Sequence, residues 1–242
     1  TTPSGYSLDG TSGQTFSDAA LAQQVLAIAK SQYNFDAGSA SEFAKPNNSN
    51  KVFVRGDFNL SPRNQLTVRT NYVDGLANVG TQYNYVYKAP DNFYSIQDKM
   101  LSTVAQLNSS FGRAFNELRF TYQRERNKRG DQPGFAAFPE VRVDFPSGNY
   151  IYLGTEYSSH ANALNQDIVE ITDDFTLLRG GHEFSFGTHN EIYKFYNLFI
   201  QYFYGAYRFN SIANFQAGIA QSYNHNFSNT SNPLEAAEWS MY

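Results

Sequence analysis

The stretch KVFVRGDFNLSPRNQLTVRTNYVDG, residues 51–75, narrows the possible folds more than any other part of the chain. Two runs flank a polar turn, Ser61-Pro62-Arg63-Asn64. In the first run Val52, Val54, Gly56, Phe58 and Leu60 share one face, and Lys51, Arg55, Asp57 and Asn59 share the other, with Phe53 out of pattern. In the second, Leu66, Val68, Thr70 and Tyr72 alternate with Gln65, Thr67, Arg69 and Asn71. Period-two alternation specifies strands, and so short a connection makes them antiparallel neighbours. Strands of a soluble sandwich typically run to about five or six residues. Runs of about ten residues, apolar on one face and charged on the other, match the wall of a transmembrane barrel better than an ordinary soluble hairpin.

The same grammar recurs downstream. A third strand is expected over Lys99–Phe111, a fourth over Asn116–Asn127 and a fifth over Asp167–Leu178. A sixth starts at Glu183 with Phe184 and Phe186 outward and becomes ambiguous through GTHNEIYKF. The turns GRAF and RGGH are short, whereas the connections 76–98, 128–166 and 197 onward are long. Tight turns alternating with long loops are the habit of outer-membrane barrels. Asp173 lands on the apolar face of its strand, which predicts a bulge or a position near the interface. Inside the long connections, VRVDF and NYIYLG predict a hairpin, Ser211 can cap a short helix and SYNHNF reads as a strand. The alternation in TQYNYVYK would extend strands beyond the membrane. Upstream, residues 1–50 read as loop around one helix, capped by Ser17 and running from Asp18 to about Lys30, with Leu21, Val25 and Ile28 as its apolar stripe.

The fold class that follows is all-β: an antiparallel up-and-down transmembrane β-barrel segment, an open curved sheet with a short N-terminal helix and long loops. Arg55, Asp57, Arg69, Arg119, Glu125 and Glu170 are its expected lumen-facing residues, and Val54, Phe58, Val68, Leu118 and Phe120 its lipid-facing ones. If the long connections are external, substrate contacts fall on their aromatics, with Tyr83, Tyr85, Tyr150, Tyr152, Tyr202 and Tyr204 as candidates.

Composition enters as a set of exclusions. Lys and Arg total 18 against 22 Asp and Glu, a formal charge of −4 without the basic stripe that nucleic-acid binding needs. Aromatics make up 17% of residues, 18 of them Tyr and 21 Phe, which suits interfacial girdles and equally an aromatic binding surface. No apolar run is long enough for a transmembrane helix, and a mean hydropathy of −0.52 is compatible with strands that alternate. With no cysteine there are neither disulfides nor thiolate metal sites. TTPSGYSLDG has no signal-peptide pattern, so the chain is expected to be mature or internal to a longer one. The four histidines, His160, His182, His189 and His225, lack zinc-site spacing, and His189 with Glu191 reads as a polar pair on one strand face. Asp173 and Asp174 point to opposite faces and cannot act as an acid–base pair. With no nucleophile elbow and no phosphate loop, neither an enzyme nor a cofactor is expected.

Four phrases carry a family resemblance: KVFVRGDFNLSPRNQLTVRTNYVDG, STVAQLNSSFGRAFNELRFTYQRER, SSHANALNQDIVEITDDFTLLRGGHEFSFGTHNEIYKF and AYRFNSIANFQAG. In this order they resemble the Oar-like branch of TonB-dependent outer-membrane receptors. The resemblance implies an outer-membrane location, a barrel of about 22 strands around an N-terminal plug, and energised uptake of a substrate. The implied partners are outer-membrane lipid, the protein's own plug domain and the inner-membrane TonB complex. Residues 51–242 would then be part of the wall, about a third of it, with plug and closing strands absent. A small passive outer-membrane barrel or adhesin is the alternative, and a soluble carbohydrate-binding β-protein a weaker third.

Overall fold

Alternation of apolar and polar side chains, sustained for far longer than one hairpin, builds the larger of two sheets. The structure, a computed structural model, describes residues 16–38, 47–80, 83–131, 136–227 and 234–241. In chain order the strands are β1 (Asn48–Ser61), β2 (Asn64–Val79), β3 (Val86–Lys88), β4 (Tyr94–Ser110), β5 (Ala114–Asp131), β6 (Glu140–Asp144), β7 (Tyr150–Leu153), β8 (Ala161–Arg179), β9 (His182–Ile200), β10 (Ala206–Phe209), β11 (Ser222–Asn224) and β12 (Leu234–Met241). Helix α1 (Ala19–Gln32) precedes them, and α2 (Ile212–Ala217) follows β10. The first sheet has the order β1-β2-β4-β5-β8-β9-β12 and is antiparallel throughout. It is open, with β1 and β12 at its edges.

Its hairpins turn tightly. β8 and β9 are joined by Gly180 and Gly181 alone, and Gly180 sits at φ 63°, a value that a side chain would strain. The first two turns also lean on the next hairpin: Ser110 N–H donates to Arg63 O and Leu178 N–H to Arg113 O, both at 2.8 Å.

Six of the strands run to 14–19 residues, longer than the ten or so that the sequence pattern predicts. The registers supply the reason. On one face Val54, Thr70, Thr103, Tyr122, Val169 and Ile192 line up across the sheet, and beside them Gly56, Val68, Ala105, Phe120 and Ile171. Further toward the long connections this same face turns charged. Asp74 stands opposite Lys99, with the ion pair at 3.6 Å, and Arg126 donates to both oxygens of Asp167 at 2.9 and 2.8 Å. About 9–11 tilted residues cross a bilayer. The apolar rows supply that span, and the charged ends of the strands continue beyond it. The sixth strand, ambiguous in sequence, runs unbroken to Ile200.

Asp173 is a correction of detail. β8 keeps continuous register with both neighbours across it, so no bulge is present. Its direct partner across the strand pair is Leu118, but its carboxylate accepts from the diagonal neighbour Asn116, whose Nδ2 donates at 2.7 Å, and so has a partner on the apolar face.

The second sheet is built from the long connections. Its order is β11-β10-β6-β7-β3, with β6–β7 a hairpin and the β10–β6 and β7–β3 pairs parallel. Helices α1 and α2 cover one face. Between them lies an apolar core that includes Phe16, Val25, Ala29, Tyr87, Val143, Ile151, Leu153 and Phe215. The expected VRVDF–NYIYLG hairpin is β6–β7. Ser211 caps α2 as expected, its Oγ accepting from Asn214 N–H at 3.1 Å. SYNHNF yields the three-residue β11.

Two expectations are corrected. Of TQYNYVYK, Thr81 and Gln82 lie outside the described residues, and residues 83–88 do not prolong the wall: their end forms β3, the edge of the second sheet. Ser17 does not cap α1; the N-cap position is Asp18 and has no side-chain cap bond. Ser17 Oγ and Asp18 Oδ2 both accept from Asn149 Nδ2, at 2.8 and 2.7 Å, so these residues tether the helix start to the β6–β7 turn. The buried face of α1 is Ala22, Val25 and Ala29, with Leu21 and Ile28 only partly buried.

Candidate functional site

The face of the second sheet turned away from the helices carries the site. Core residues Val141, Val143, Ile151 and Leu153 alternate along β6 and β7 with Arg142, Asp144, Tyr150 and Tyr152. Register then sets a row across four strands: Arg208 beside Arg142, Arg142 beside Tyr152, and Tyr152 beside Lys88. Arg142 Nε donates to Asp144 Oδ1 at 2.6 Å, and Arg208 Nη2 donates to Asp144 Oδ2 at 2.7 Å. The Arg142 guanidinium stacks over the Tyr150 ring, 3.6 Å from its centroid. The Lys88 ammonium lies 6.0 Å from the Tyr152 centroid.

Tyrosine rings continue the row. Tyr150 meets Tyr152 edge-on at 5.4 Å, Tyr85 lies 6.2 Å from Tyr150, and Tyr83 stacks on Tyr85 at 5.4 Å. Tyr150 N–H donates to Tyr85 O at 3.2 Å, which holds this tail against β7. Tyr83 and Tyr85 are 46% and 48% exposed, so the ladder opens outward. Four of the six tyrosines singled out from the sequence are therefore one array.

The other two are elsewhere. Tyr202, at φ 57°, stacks on Tyr157 at 4.7 Å, and its N–H donates to Tyr157 O. Tyr204 N–H donates to His160 Nδ1 at 3.0 Å, which leaves His160 Nε2 as the donor to Thr155 O at 2.7 Å. This pair packs the junction between the β7–β8 and β9–β10 connections.

A polar node lies at the end of the sheet. Asp91 Oδ2 accepts from Gly154 N–H at 2.6 Å, and Asn92 Nδ2 donates to Gly154 O at 2.9 Å and to Glu140 Oε2 at 3.3 Å. Tyr157 N–H also donates to Glu140 Oε2, at 3.2 Å. Burial pushes Asp91 up to about 8 against the bond from Gly154, and pushes Glu140 up to about 7. Gly154, at φ 82°, is required here, because a Cβ would stand 1.9 Å from Pro139 O.

On the wall, Arg55, Asp57, Arg69, Arg119, Glu125 and Glu170 all fall on the face opposite the apolar rows. Arg55 pairs with Asp57, whose Oδ1 also accepts from Thr67 Oγ1 at 2.6 Å. Arg119 pairs with Glu117, and Gln123 Nε2 donates to Glu170 Oε1 at 3.2 Å. His189 bridges Thr172 and Glu191 at 2.8 Å each, the polar pair read from the sequence with a third member added. Thr67, Val104 and Thr121 on this face are buried, whereas Leu118, Phe120 and Ile171 on the other are exposed. That asymmetry is what a sheet curved toward its polar side produces.

Sequence reasoning missed Lys88, Arg142, Asp144 and Arg208, and the Asp91–Glu140 node. The alternation in VRVD was the available signal for Arg142 and Asp144; nothing local places Arg208 beside them, because parallel pairing of β6 and β10 is long-range.

Comparisons with curated proteins and with solved structures return no significant match. A family model described as an outer membrane beta barrel domain matches residues 10–242. With the apolar rows, the tight turns and the open antiparallel wall, this makes the chain a member of the outer membrane beta barrel family, located in the outer membrane.

Proposed function

We propose that the chain supplies part of the wall and the outer cap of a TonB-dependent outer-membrane receptor. Substrate is captured on the folded long connections and passes down a plugged lumen, and the protein performs no covalent chemistry. The observation that carries this reading is the charged, shielded face of an open wall. Arg55, Asp57, Arg69, Arg119, Glu125 and Glu170 are long polar groups on one face of a sheet whose edge strands do not pair with each other. A closed barrel of about eight strands fills its interior with side chains, whereas a wide one keeps room for water and a plug. Unpaired strand edges in lipid cost several kcal/mol per group, so this wall closes against further strands. Seven strands of about 22 would make roughly a third of the circumference.

By the habit of such barrels, the tight turns at Pro62–Arg63, Phe111–Arg113 and Gly180–Gly181 face the periplasm, and the second sheet faces outward. The lumen assignment of the six charged residues rests on the same reading. Two measurements test it. The isolated periplasmic domain of TonB should capture the full-length protein in detergent. Residues 1–242 alone should aggregate on refolding; a compact monomer with heat-modifiable gel mobility would favour the small passive barrel or adhesin instead.

A further inference from the structure

We propose that the outward face of the wall, at its rim nearest the long connections, binds phosphate-bearing lipid head groups through Arg124, Lys128 and Lys194. The proposal goes beyond the receptor reading and rests on it only for the leaflet, the outer one. Three observations lead to it. The first is depth. Arg124 stands ten residues from Ala114 at the tight turn, on the same face as Phe120 and Tyr122. At about 3.4 Å per residue and a tilt of about 40° it lies about 26 Å up the wall, where an apolar band about 25 Å tall ends. Lys128 stands about 10 Å higher by the same geometry. Tyr72, in register with Leu101 and Arg124, marks the same height with an amphipathic ring. The cations of β5 thus climb through the polar layer of the membrane and not through its hydrocarbon.

The second observation is charge. Register places Lys99 beside Arg126, and Asp167 between Arg124 and Lys194. The acids on this part of the face are Asp74, Asp167 and, by its register position in β12, Glu235, so five cations face three acids. Lys99 is taken by Asp74, and Arg126 by both oxygens of Asp167, which also accepts from Tyr122 Oη at 3.3 Å. Arg124, Lys128 and Lys194 are exposed and have no ion pair or side-chain hydrogen bond among the described residues. The third is continuity. Directly below these cations run the apolar rows of Phe120, Tyr122, Val169, Ile171 and Ile192. A ligand held by its head group at the rim lays its tail along them, whereas a free anion gains nothing from that surface. Arginine offers a planar fork to phosphate oxygens, and a lysine stem can lie on apolar surface with its ammonium at the interface.

The test uses the full-length protein in detergent, titrated with fluorescently labelled phosphatidic acid and with the matching diacylglycerol, which lacks the phosphate. Phosphatidic acid should bind at least tenfold more tightly, and less so as salt rises. The double variant Arg124→Gln, Lys128→Gln should weaken phosphatidic acid at least tenfold and leave diacylglycerol unchanged; heat-modifiable mobility verifies that it folds. Arg179→Gln, which removes an exposed cation of the same face at the tight-turn rim, should alter neither. Equal affinity for the two lipids, an unaffected double variant, or an equal loss in Arg179→Gln overturns the proposal. Displacement of the lipid by inorganic phosphate overturns it too, because the site would then be one for the free anion. A protein that the TonB domain captures but that shows no preference for the phosphate overturns this site alone. One that prefers phosphatidic acid but is not captured overturns the receptor reading and leaves the lipid site standing.

Discussion

Replacing Phe120 with arginine separates the two faces of the wall by energy. Phe120 lies in β5 with Ala105 and Ile171 opposite it in the flanking strands, and is 44% exposed on the apolar side. Six residues separate it from Ala114 at the tight turn. At about 3.4 Å per residue and a tilt of about 40°, that places it about 16 Å from the rim of an apolar band about 25 Å tall, close to mid-depth. Arginine at that depth costs about 2–4 kcal/mol. At about 1.4 kcal/mol per decade, the folding equilibrium of the barrel falls by about 30- to 700-fold. Gln123→Arg, three positions on and on the other face, is the control. Glu170, diagonally across the strand pair, is already bonded to Gln123, so a new cation finds an acid and water and should change stability by less than about 1 kcal/mol. The assay is guanidinium unfolding of the full-length protein from lipid vesicles, followed by tryptophan fluorescence. Equal losses for the two variants, or a greater loss for Gln123→Arg, would refute the assignment of faces.

Three further outcomes are expected. Gly154→Ala forces a Cβ against Pro139 O at a φ of 82° and should destabilise the loop sheet by about 1–3 kcal/mol, read as faster hydrogen exchange across β6 and β7 while the wall is unchanged. Asp91 and Glu140 titrate at about 8 and 7 when folded against 3.8 and 4.5 in their ordinary state, so folding favours their protonated forms. Their contribution to the cap is fully present below about pH 4 and is lost as pH rises to about 8; Asp91→Asn, whose amide oxygen keeps the Gly154 bond, should flatten that slope in hydrogen exchange, and an unaltered slope counts against the buried acid. Proteolysis of intact cells should spare the turns at 62–63, 111–113 and 180–181, and cutting confined to them would invert the proposed orientation.

The wall was legible because its physics is local: one face of each strand meets hydrocarbon and the other water, so every second residue announces its side. Val54, Phe58, Arg55 and Arg119 could be assigned one by one. Strand ends were not legible, since beyond Asp74, Lys99 and Arg124 both faces meet water and the pattern dissolves while the hydrogen-bonded ladder continues. The cap was legible only in fragments. The β6–β7 hairpin and the Ser211 cap are short-range and were anticipated. The joining of β3 to β7 and of β10 to β6 brings together connections far apart in sequence, and no periodicity within either one encodes a partner. For the same reason Tyr202 and Tyr204 could not be told from Tyr83 and Tyr85 before the pairing was known.

That long-range pairing also bears on how such a surface can bind. The five strands of the second sheet come from three connections, β3 from one, β6 and β7 from another and β10 and β11 from the third, and α1 adds a segment from ahead of β1. Left as independent loops, these segments would have to be ordered by the ligand, at about 1–2 kcal/mol per residue fixed. Here the apolar core around Val143, Ile151 and Phe215 and the hydrogen bonds at Gly154 have already ordered them. Arg208 and Lys88 are held on one rigid ladder although 120 residues of sequence separate them. A ligand spanning that ladder orders no backbone, so its contact energy is not spent on folding the loops. Loss of any one connection would therefore weaken binding at residues that belong to the others. Replacing β3 and its flanks with a flexible linker should speed hydrogen exchange in β10, three strands away, even though that strand's own connection is intact.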